Sequence, residues 1–144
     1  MKKVLLLLLV FSIVFVSVPV FAEMEILHIT IDGELVEIPE GYGAAMIYND
    51  RTMVPVRFVS EFLGFAVDWV ESDRLVVFMD LTHAVALQIG SRTLLMLMTN
   101  ERISMDAPAM IHEDRSYIPI RFFAEAIGME VTWDEYTRTV GLYR

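Results

Sequence analysis

The sequence feature that most constrains the fold is a segment of fourteen residues that occurs twice. Residues 51–64 read RTMVPVRFVSEFLG, and residues 115–128 read RSYIPIRFFAEAIG. With a constant offset of 64, residues 46–76 align with residues 110–140 without a gap, and 14 of these 31 positions are identical. Similarity on this scale predicts two supersecondary units that pack together because neither buries its apolar face alone.

Each copy predicts the same series of elements. Pro55 has the fixed φ that suits the first turn of a helix, and apolar residues three and four positions apart give that helix one buried face. Gly64 follows where a left-handed residue ends a helix. Strands of alternating polarity lie on both sides. We therefore predict an α+β fold, mostly antiparallel β-sheet with two short amphipathic helices, built by internal duplication from repeat units at about residues 23–80 and 81–144.

The first 22 residues predict a secretory signal peptide. Lys2 and Lys3 precede an almost wholly apolar run from Val4 to Val18, and small or β-branched residues lead to a cleavage site after Ala22. The alternative is an uncleaved membrane anchor, because the run approaches the length that spans a bilayer. The predicted mature domain is residues 23–144, and the predicted location is secreted or associated with the cell wall.

The composition after the signal limits the classes of partner. Lys2 and Lys3 are the only lysines, so nine arginines remain against twenty acidic residues, a net charge near −11. An acidic surface argues against nucleic acid or anionic lipid as partner, since both attract basic patches. The chain has no cysteine. An exported protein without disulfides is more typical of bacteria than of animals.

The residues that could hold copper are few and scattered. His28, His83 and His112 show no spacing that would bring imidazoles together. Met96 and Met98 alternate along a predicted strand, and two thioethers on one face can bind Cu(I). Methionines in an apolar strand are more typical of packing, because the thioether is flexible and polarizable. We therefore expect neither a metal nor another cofactor.

The acidic pairs that could support hydrolysis lie in predicted turns. Glu71 and Asp73 form one pair, and Asp134 and Glu135 form the other. Carboxylates in such turns typically accept hydrogen bonds from backbone amides. No serine has a histidine in a recognisable catalytic arrangement. The sequence therefore predicts no enzyme.

One arginine–glutamate pair recurs in both predicted helices. Arg57 with Glu61 and Arg121 with Glu125 are four positions apart, with the cation toward the N-terminus. That order is the less favourable one against the helix dipole. We therefore expect each arginine to have a tertiary partner. One interpretation is a bridge from helix to sheet through the glutamate and strand carbonyls, and the other is capture of a carboxylate ligand.

Each copy also places a tryptophan on an alternating strand. Trp69 shares its predicted face with Val67, and Trp133 shares its face with Val131. That placement predicts packing in the core. Tryptophans exposed as a pair would instead indicate stacking against sugars.

These residues resemble a known family. The pattern R-x-[MY]-[VI]-P-[VI]-R-F, then E-x-[LI]-G, V-x-W and R-x-V, is similar to the copper amine oxidase N-terminal domain-like module, also called the stalk domain. The resemblance extends from Glu25 to Arg144, and the first copy departs from the family pattern at Val70 and Leu75. The positions that carry the signature are Arg51, Pro55, Arg57, Phe58, Glu61, Gly64, Trp69, Arg115, Pro119, Arg121, Phe122, Glu125, Gly128, Trp133 and Asp134.

The resemblance implies a structural role for these signature positions rather than an activity. In the oxidases this domain is an antiparallel sheet wrapped on a helix, remote from the catalytic domain with its copper and quinone. Similar modules occur on exported proteins of Gram-positive bacteria. We expect an exported, non-catalytic cell-envelope module for binding or assembly, with a wall polymer or another envelope protein as partner.

Two alternatives remain open at this point. One is a structural protein that self-assembles into an oligomer through the apolar residues 93–98, and the other is a module that binds cations or glycans. A binding surface is expected where the two copies differ. Those positions are residues 40–43, Tyr48 with Asn49, and residues 93–98.

Overall fold

A computed structural model describes residues 27–144. The predicted signal peptide, residues 1–22, and its cleavage site at Ala22 lie outside the described residues. Within residues 27–144, no helix has the length and apolar character needed to cross a membrane.

The described residues form thirteen β-strands and two α-helices. Their bounds are β1 His28–Ile31, β2 Glu34–Val36, β3 Met46–Tyr48, β4 Arg51–Pro55, α1 Val56–Leu63, β5 Ala66–Val70, β6 Leu75–Met79, β7 Ala84–Gln88, β8 Thr93–Met96, β9 Glu101–Ser104, β10 Met110–His112, β11 Arg115–Pro119, α2 Ile120–Ala126, β12 Glu130–Asp134 and β13 Thr139–Tyr143. All strand pairs are antiparallel except β1 with β13. The α+β fold predicted from the sequence is confirmed.

Two-residue turns close three of the hairpins. The turn between β1 and β2 consists of Asp32 and Gly33, whose φ angles are +51° and +85°. Asn49 with Asp50 and Glu113 with Asp114 close the other two, and all four residues also have positive φ. Positive φ at both central positions matches the right-handed twist of the flanking strands. An Asp-Gly pair tolerates this conformation, so the hairpin at Asp32–Gly33 can be predicted from these two residues alone.

The elements of the two copies recur at a spacing of 64 residues. The series β3–β4–α1–β5–β6 returns as β10–β11–α2–β12–β13, with every strand displaced by 64 positions. The two copies meet where β4 pairs with β11, and Val54 lies opposite its own equivalent, Ile118. An antiparallel pair centred on equivalent positions has a local two-fold axis between them. The evolutionary duplication itself stays a prediction.

The sheets combine strands from both halves of the chain. One has the order β12-β13-β1-β2, one the order β10-β11-β4-β3, and one the order β5-β6-β7-β8-β9. The hairpin β1–β2 pairs directly with β13, in parallel. The corresponding hairpin β8–β9 is separated from β6 by the additional strand β7. This extra strand is the main departure from symmetry.

The core lies between the helices and the sheets, and residues from both copies meet in it. Phe123 on α2 packs against Phe65 and Phe78 from the first copy, with ring centroids 5.3 and 4.8 Å apart. Phe58 and Phe123 are fully buried, whereas Phe122, which aligns with Phe58, is only partly buried. Neither half therefore has a core of its own in this arrangement.

The helix boundaries differ slightly from the prediction. Pro55 and Pro119 are the last residues of their strands and cap the helices, which begin one residue later. Both prolines have extended ψ angles, because each still faces a residue of the partner strand. Gly64 is left-handed at the end of α1, as predicted, with φ +78°. Gly128 has φ +83° and follows the end of α2 by two residues.

Candidate functional site

The histidines lie apart in the described structure. His28 is exposed at the start of β1, and His112 is exposed on β10 beside Tyr117. His83 lies in the turn between β6 and β7, where its Nδ1 is 2.8 Å from the hydroxyl of Thr82. Among residues 27–144, no three histidine, aspartate or glutamate side chains converge on a point that could hold a metal ion.

The predicted methionine pair is not formed. Strand β8 ends at Met96, and Met98 lies in the following turn with 68% of its surface exposed. The interpretation that both thioethers share one strand face was therefore wrong. The amide of Leu97 still donates to the carbonyl of Ala84, 2.7 Å away, but β7 begins at Ala84, so Met98 has no residue of β7 to pair with.

The acidic pairs lie in hairpin turns, as predicted. Asp134 accepts hydrogen bonds from the amides of Tyr136 and Thr137, at 2.9 and 3.1 Å. The bond from Thr137 is the main reason that the pKa of Asp134 is lowered. In the first copy, where Val70 replaces this aspartate, a 3-10 turn at Glu71–Asp73 makes the connection. Both turns reverse the chain, so the departure from the family pattern at Val70 changes the type of turn but not the hairpin.

Two clefts lie on the surface, related by the local two-fold axis. The first, of about 670 Å³, is named here the Trp69 cleft and contains Arg57, Trp69, Val76, Asp114, Arg115 and Ser116 in its wall. The second, of about 340 Å³, is named the Trp133 cleft and contains the equivalent residues Arg121, Trp133, Val140, Asp50, Arg51 and Thr52. Each residue of one set is 64 positions from its counterpart.

Both copies contribute to each cleft, because of the way β4 and β11 pair. The two strands run antiparallel, so the turn that begins β11 lies beside the end of β4, where α1 starts. The Trp69 cleft therefore joins the helix start and tryptophan strand of the first copy to the hairpin turn of the second. The Trp133 cleft joins the helix start and tryptophan strand of the second copy to the hairpin turn of the first.

The arginines of the hairpin turns are held by the protein. Arg51 donates to the carboxylate of Asp106, with Nε 2.8 Å from each oxygen. This hydrogen bond raises the pKa of Arg51 and lowers the pKa of Asp106. Arg115 donates to the carbonyls of Gly41 and Glu113, both at 3.3 Å. These two arginines thus shape the walls of the clefts.

The helix arginines differ. Within residues 27–144, neither Arg57 nor Arg121 has a hydrogen bond or ion pair, and both are exposed. Arg57 lies over the ring of Tyr42, 5.4 Å from its centroid. Glu61 accepts a hydrogen bond from the Tyr42 hydroxyl at 3.0 Å, which raises the tyrosine pKa. The predicted bridge from Arg57 through Glu61 to the sheet is therefore replaced by a contact with Tyr42.

The tryptophans are partly exposed rather than fully buried. Trp69 exposes 37% of its surface, whereas Trp133 is partly buried and packs against the core. The indole N–H of Trp133 donates to Glu135 at 2.6 Å, and that of Trp69 donates to Glu71. The predicted core packing thus holds for Trp133 better than for Trp69. Both rings also form part of a cleft wall.

A family model matches this architecture. Residues 30–142 match the copper amine oxidase N-terminal domain. The chain belongs to this family. The match extends from β1 to β13 and includes both clefts. The resemblance inferred from the repeated segment is thereby confirmed.

The matched family is the non-catalytic N-terminal domain of these oxidases, not their catalytic domain. A comparison with curated proteins finds no match. The family therefore accounts for the fold and for the repeated signature.

The sequence predicts a binding surface in the segments where the two copies differ. Of these, residues 40–43 do reach a cleft, because Gly41 and Tyr42 form part of the Trp69 cleft. The contribution of Asp50 and Asp114 to clefts on the opposite copy was missed. The repeat could have predicted this contribution, since two copies that pair through antiparallel strands place the hairpin turn of each copy beside the helix of the other.

Proposed function

We propose that this chain is an exported, non-catalytic binding module of the cell envelope. Its partner is a wall polymer or another envelope protein, which it binds through the two clefts. Three observations support the proposal: the signal-like residues 1–22, membership in a non-catalytic domain family, and the two equivalent clefts.

The clefts are the observation that carries the proposal. Both tryptophans of the chain and five of its nine arginines line them. Tryptophan and arginine are the side chains most enriched where proteins bind partners. Within residues 27–144, neither Arg57 nor Arg121 has a hydrogen bond or ion pair that a partner would have to break, although Arg57 lies over the ring of Tyr42.

Retention on purified cell wall tests the binding role. The secreted protein should be retained, and a variant with Trp69→Ala and Trp133→Ala should be retained several-fold less. Tyr136→Ala is the matched control, because Tyr136 is a fully exposed aromatic residue that lines neither cleft. Mass spectrometry of the same secreted material should find an N-terminus at Glu23. No retention on the wall, together with no protein partner after crosslinking, would contradict the proposal.

Self-association is a second candidate, favoured by one observation. Strand β9 is one of the two edge strands of its sheet in the described structure, and Leu97 and Met98 expose 44% and 68% of their surface in the turn before it. Unpaired edges beside apolar side chains can pair with a second chain. Light scattering over a range of concentrations should then show oligomers, and a monomer at every concentration would reject this candidate.

A further inference from the structure

We propose that the two clefts are two copies of one binding site for an acidic glycan, a sugar polymer whose units carry carboxylate groups. This inference rests on the proposed function and names the class of its ligand. In each cleft the tryptophan provides an apolar surface for a sugar ring, the helix arginine binds the sugar carboxylate, and the turn carboxylates accept hydrogen bonds from hydroxyl groups.

The distribution of charge indicates an anionic ligand. The chain after residue 22 has nine arginines against twenty acidic residues, so cations are scarce. The walls of the two clefts nevertheless contain five arginines and four acidic residues. The clefts thus contain more than half of the arginines of an otherwise acidic protein and are close to neutral, so an anion is repelled less there than elsewhere on the surface.

The acidic residues in the same walls limit the kind of anion. Glu113 and Asp114 lie in the Trp69 cleft, and Asp50 and Glu135 lie in the Trp133 cleft. A small, densely charged anion such as phosphate would be repelled by them. A sugar acid provides hydroxyl donors for these carboxylates as well as one acceptor group for the arginine.

The tryptophans add the third element of sugar recognition. Trp69 lies directly opposite Val76 across its hairpin, and Trp133 lies opposite Val140. Hydrogen bonds from the indole N–H groups to Glu71 and Glu135 hold the rings in place. Fixed aromatic side chains bind with a low cost in conformational entropy.

One loop contributes to the wall of the Trp69 cleft alone. Gly43 has φ +92°, and a side chain on it would meet the hydroxyl of Tyr117 at 2.4 Å. Glycine thus lets the loop pass close to β11, which places Tyr42 at the wall of the Trp69 cleft. The second copy has no counterpart of this tyrosine in the Trp133 cleft. We expect the Trp69 cleft to bind an oligosaccharide more tightly.

Intrinsic fluorescence tests the inference, since the only two tryptophans of the chain lie one in each cleft. In Trp133→Phe the emission reports the Trp69 cleft, and in Trp69→Phe it reports the Trp133 cleft. Both variants are titrated with a galacturonic acid tetramer, a neutral glucose tetramer and a glutamic acid tetrapeptide. The uronic acid tetramer should change the emission of both variants and bind at least about tenfold more tightly than the glucose tetramer, as one charge-assisted contact provides. It should also bind more tightly than the glutamate peptide, which has no sugar ring to pack on tryptophan.

Charge-neutral arginine variants assign the contact to a cleft. Arg57→Gln should weaken binding about tenfold at the Trp69 reporter and leave the Trp133 reporter unchanged, and Arg121→Gln should do the reverse. Arg102→Gln is the control, because Arg102 is an exposed arginine on β9 that lines neither cleft. Unchanged emission with the uronic acid tetramer, equal affinity for the glutamate peptide, or no effect of either cleft variant would overturn the inference.

The outcomes also separate this inference from the function it rests on. Retention on cell wall without a response to the uronic acid tetramer would leave the binding role in place and reject the acidic glycan. A response to the tetramer without retention on cell wall would support the sugar site and reject the envelope role.

Discussion

Asp80 is the residue that organises the connection between β6 and β7. Its Oδ1 accepts hydrogen bonds from the amides of Thr82 and His83, at 2.7 and 2.6 Å, and from the Thr82 hydroxyl at 3.0 Å. The ring Nδ1 of His83 lies 3.2 Å from the other oxygen, Oδ2. Burial raises the pKa of Asp80, but these hydrogen bonds, including the one with the His83 side chain, together outweigh it and lower the pKa to about 2. The carboxylate therefore acts as the cap of this turn.

Removal of Asp80 should destabilise the protein in a way that depends on pH. Because its pKa in the folded state lies below that of an unfolded aspartate, ionised Asp80 stabilises the fold above about pH 4, and this contribution is lost as the pH falls toward 2. We expect Asp80→Ala to lower the free energy of unfolding at pH 7 by about 1 kcal/mol, as for the loss of a capping side chain. Urea unfolding at pH 7 and at pH 3 measures the difference from wild type.

Asp80→Asn separates the charge from the hydrogen bonds, since the amide oxygen can still accept from both backbone N–H groups. Its deficit in stability should be smaller than that of Asp80→Ala and should shrink at pH 3. A deficit that is the same at both pH values would contradict the role given to the ionised carboxylate.

At the scale of elements, the equivalent turns at Asn49–Asp50 and Glu113–Asp114 have one geometry and different sequences. The φ angles of Asn49 and Glu113 are +48° and +47°. Asparagine tolerates the left-handed region, whereas glutamate gains nothing there. The second hairpin therefore forms with a residue poorly suited to its turn, which tertiary pairing with β4 compensates.

An exchange between these turns should change stability in opposite directions. Glu113→Asn should raise the free energy of unfolding by about 0.5 kcal/mol, and Asn49→Glu should lower it by a similar amount. Thermal unfolding of the two variants beside wild type measures both effects. Shifts of the same sign in both variants would show that local φ preference does not govern these turns.

The loop that carries Tyr42 offers a second test at this scale. Gly41 and Gly43 both have φ +92°, but only at Gly43 would a new side chain meet other atoms, Tyr117 at 2.4 Å and Arg115 at 2.9 Å. We expect Gly43→Ala to be more destabilising than Gly41→Ala by about 1–3 kcal/mol, the range for overpacking. Equal losses in chemical denaturation would mean that the loop moves away from β11 at little cost.

At the scale of the whole molecule, the two copies share their sheets and their core. The sheet β12-β13-β1-β2 joins the first and last strands of the described residues, and Phe123 of the second copy packs between aromatic residues of the first. A structure in which neither half has its own core should unfold as one cooperative unit.

Single-tryptophan variants can test this cooperativity. In Trp69→Phe the fluorescence follows the second copy, and in Trp133→Phe it follows the first. In each variant the fluorescence transition in urea should coincide with the transition in far-UV circular dichroism, because all strands are lost together. Fluorescence that leads or lags in either variant would show that the copies unfold separately.

The helices, the hairpins and their repetition were readable in the sequence because they depend on local properties. The positive φ of Asp32–Gly33, the end of α1 at Gly64 and the alternation of β5 and β12 each follow from a few neighbouring residues. The family signature consists mainly of these positions, and the family match confirms it. Local preference thus accounts for most of the elements.

The ends of the strands and the contacts of the side chains were less predictable, since they depend on which residues of the neighbouring elements are within reach. Strand β8 stops at Met96, beside the first residues of β7, so the predicted alignment of Met98 failed. Arg57 lies over Tyr42, a residue fifteen positions earlier in a loop whose path no local pattern indicates.

By itself, the sequence determined that two equivalent strand–helix–strand units exist, because φ preferences and apolar periodicity act over short distances. Only the tertiary structure decided what the repeated arginines and tryptophans face. Because β4 and β11 pair in antiparallel fashion, equivalent residues, which are 64 positions apart in the sequence, are related by a local two-fold axis. Residues of the other copy therefore complete each cleft. Contacts between strands so distant in sequence depend on the packing of the whole core, which no single segment encodes.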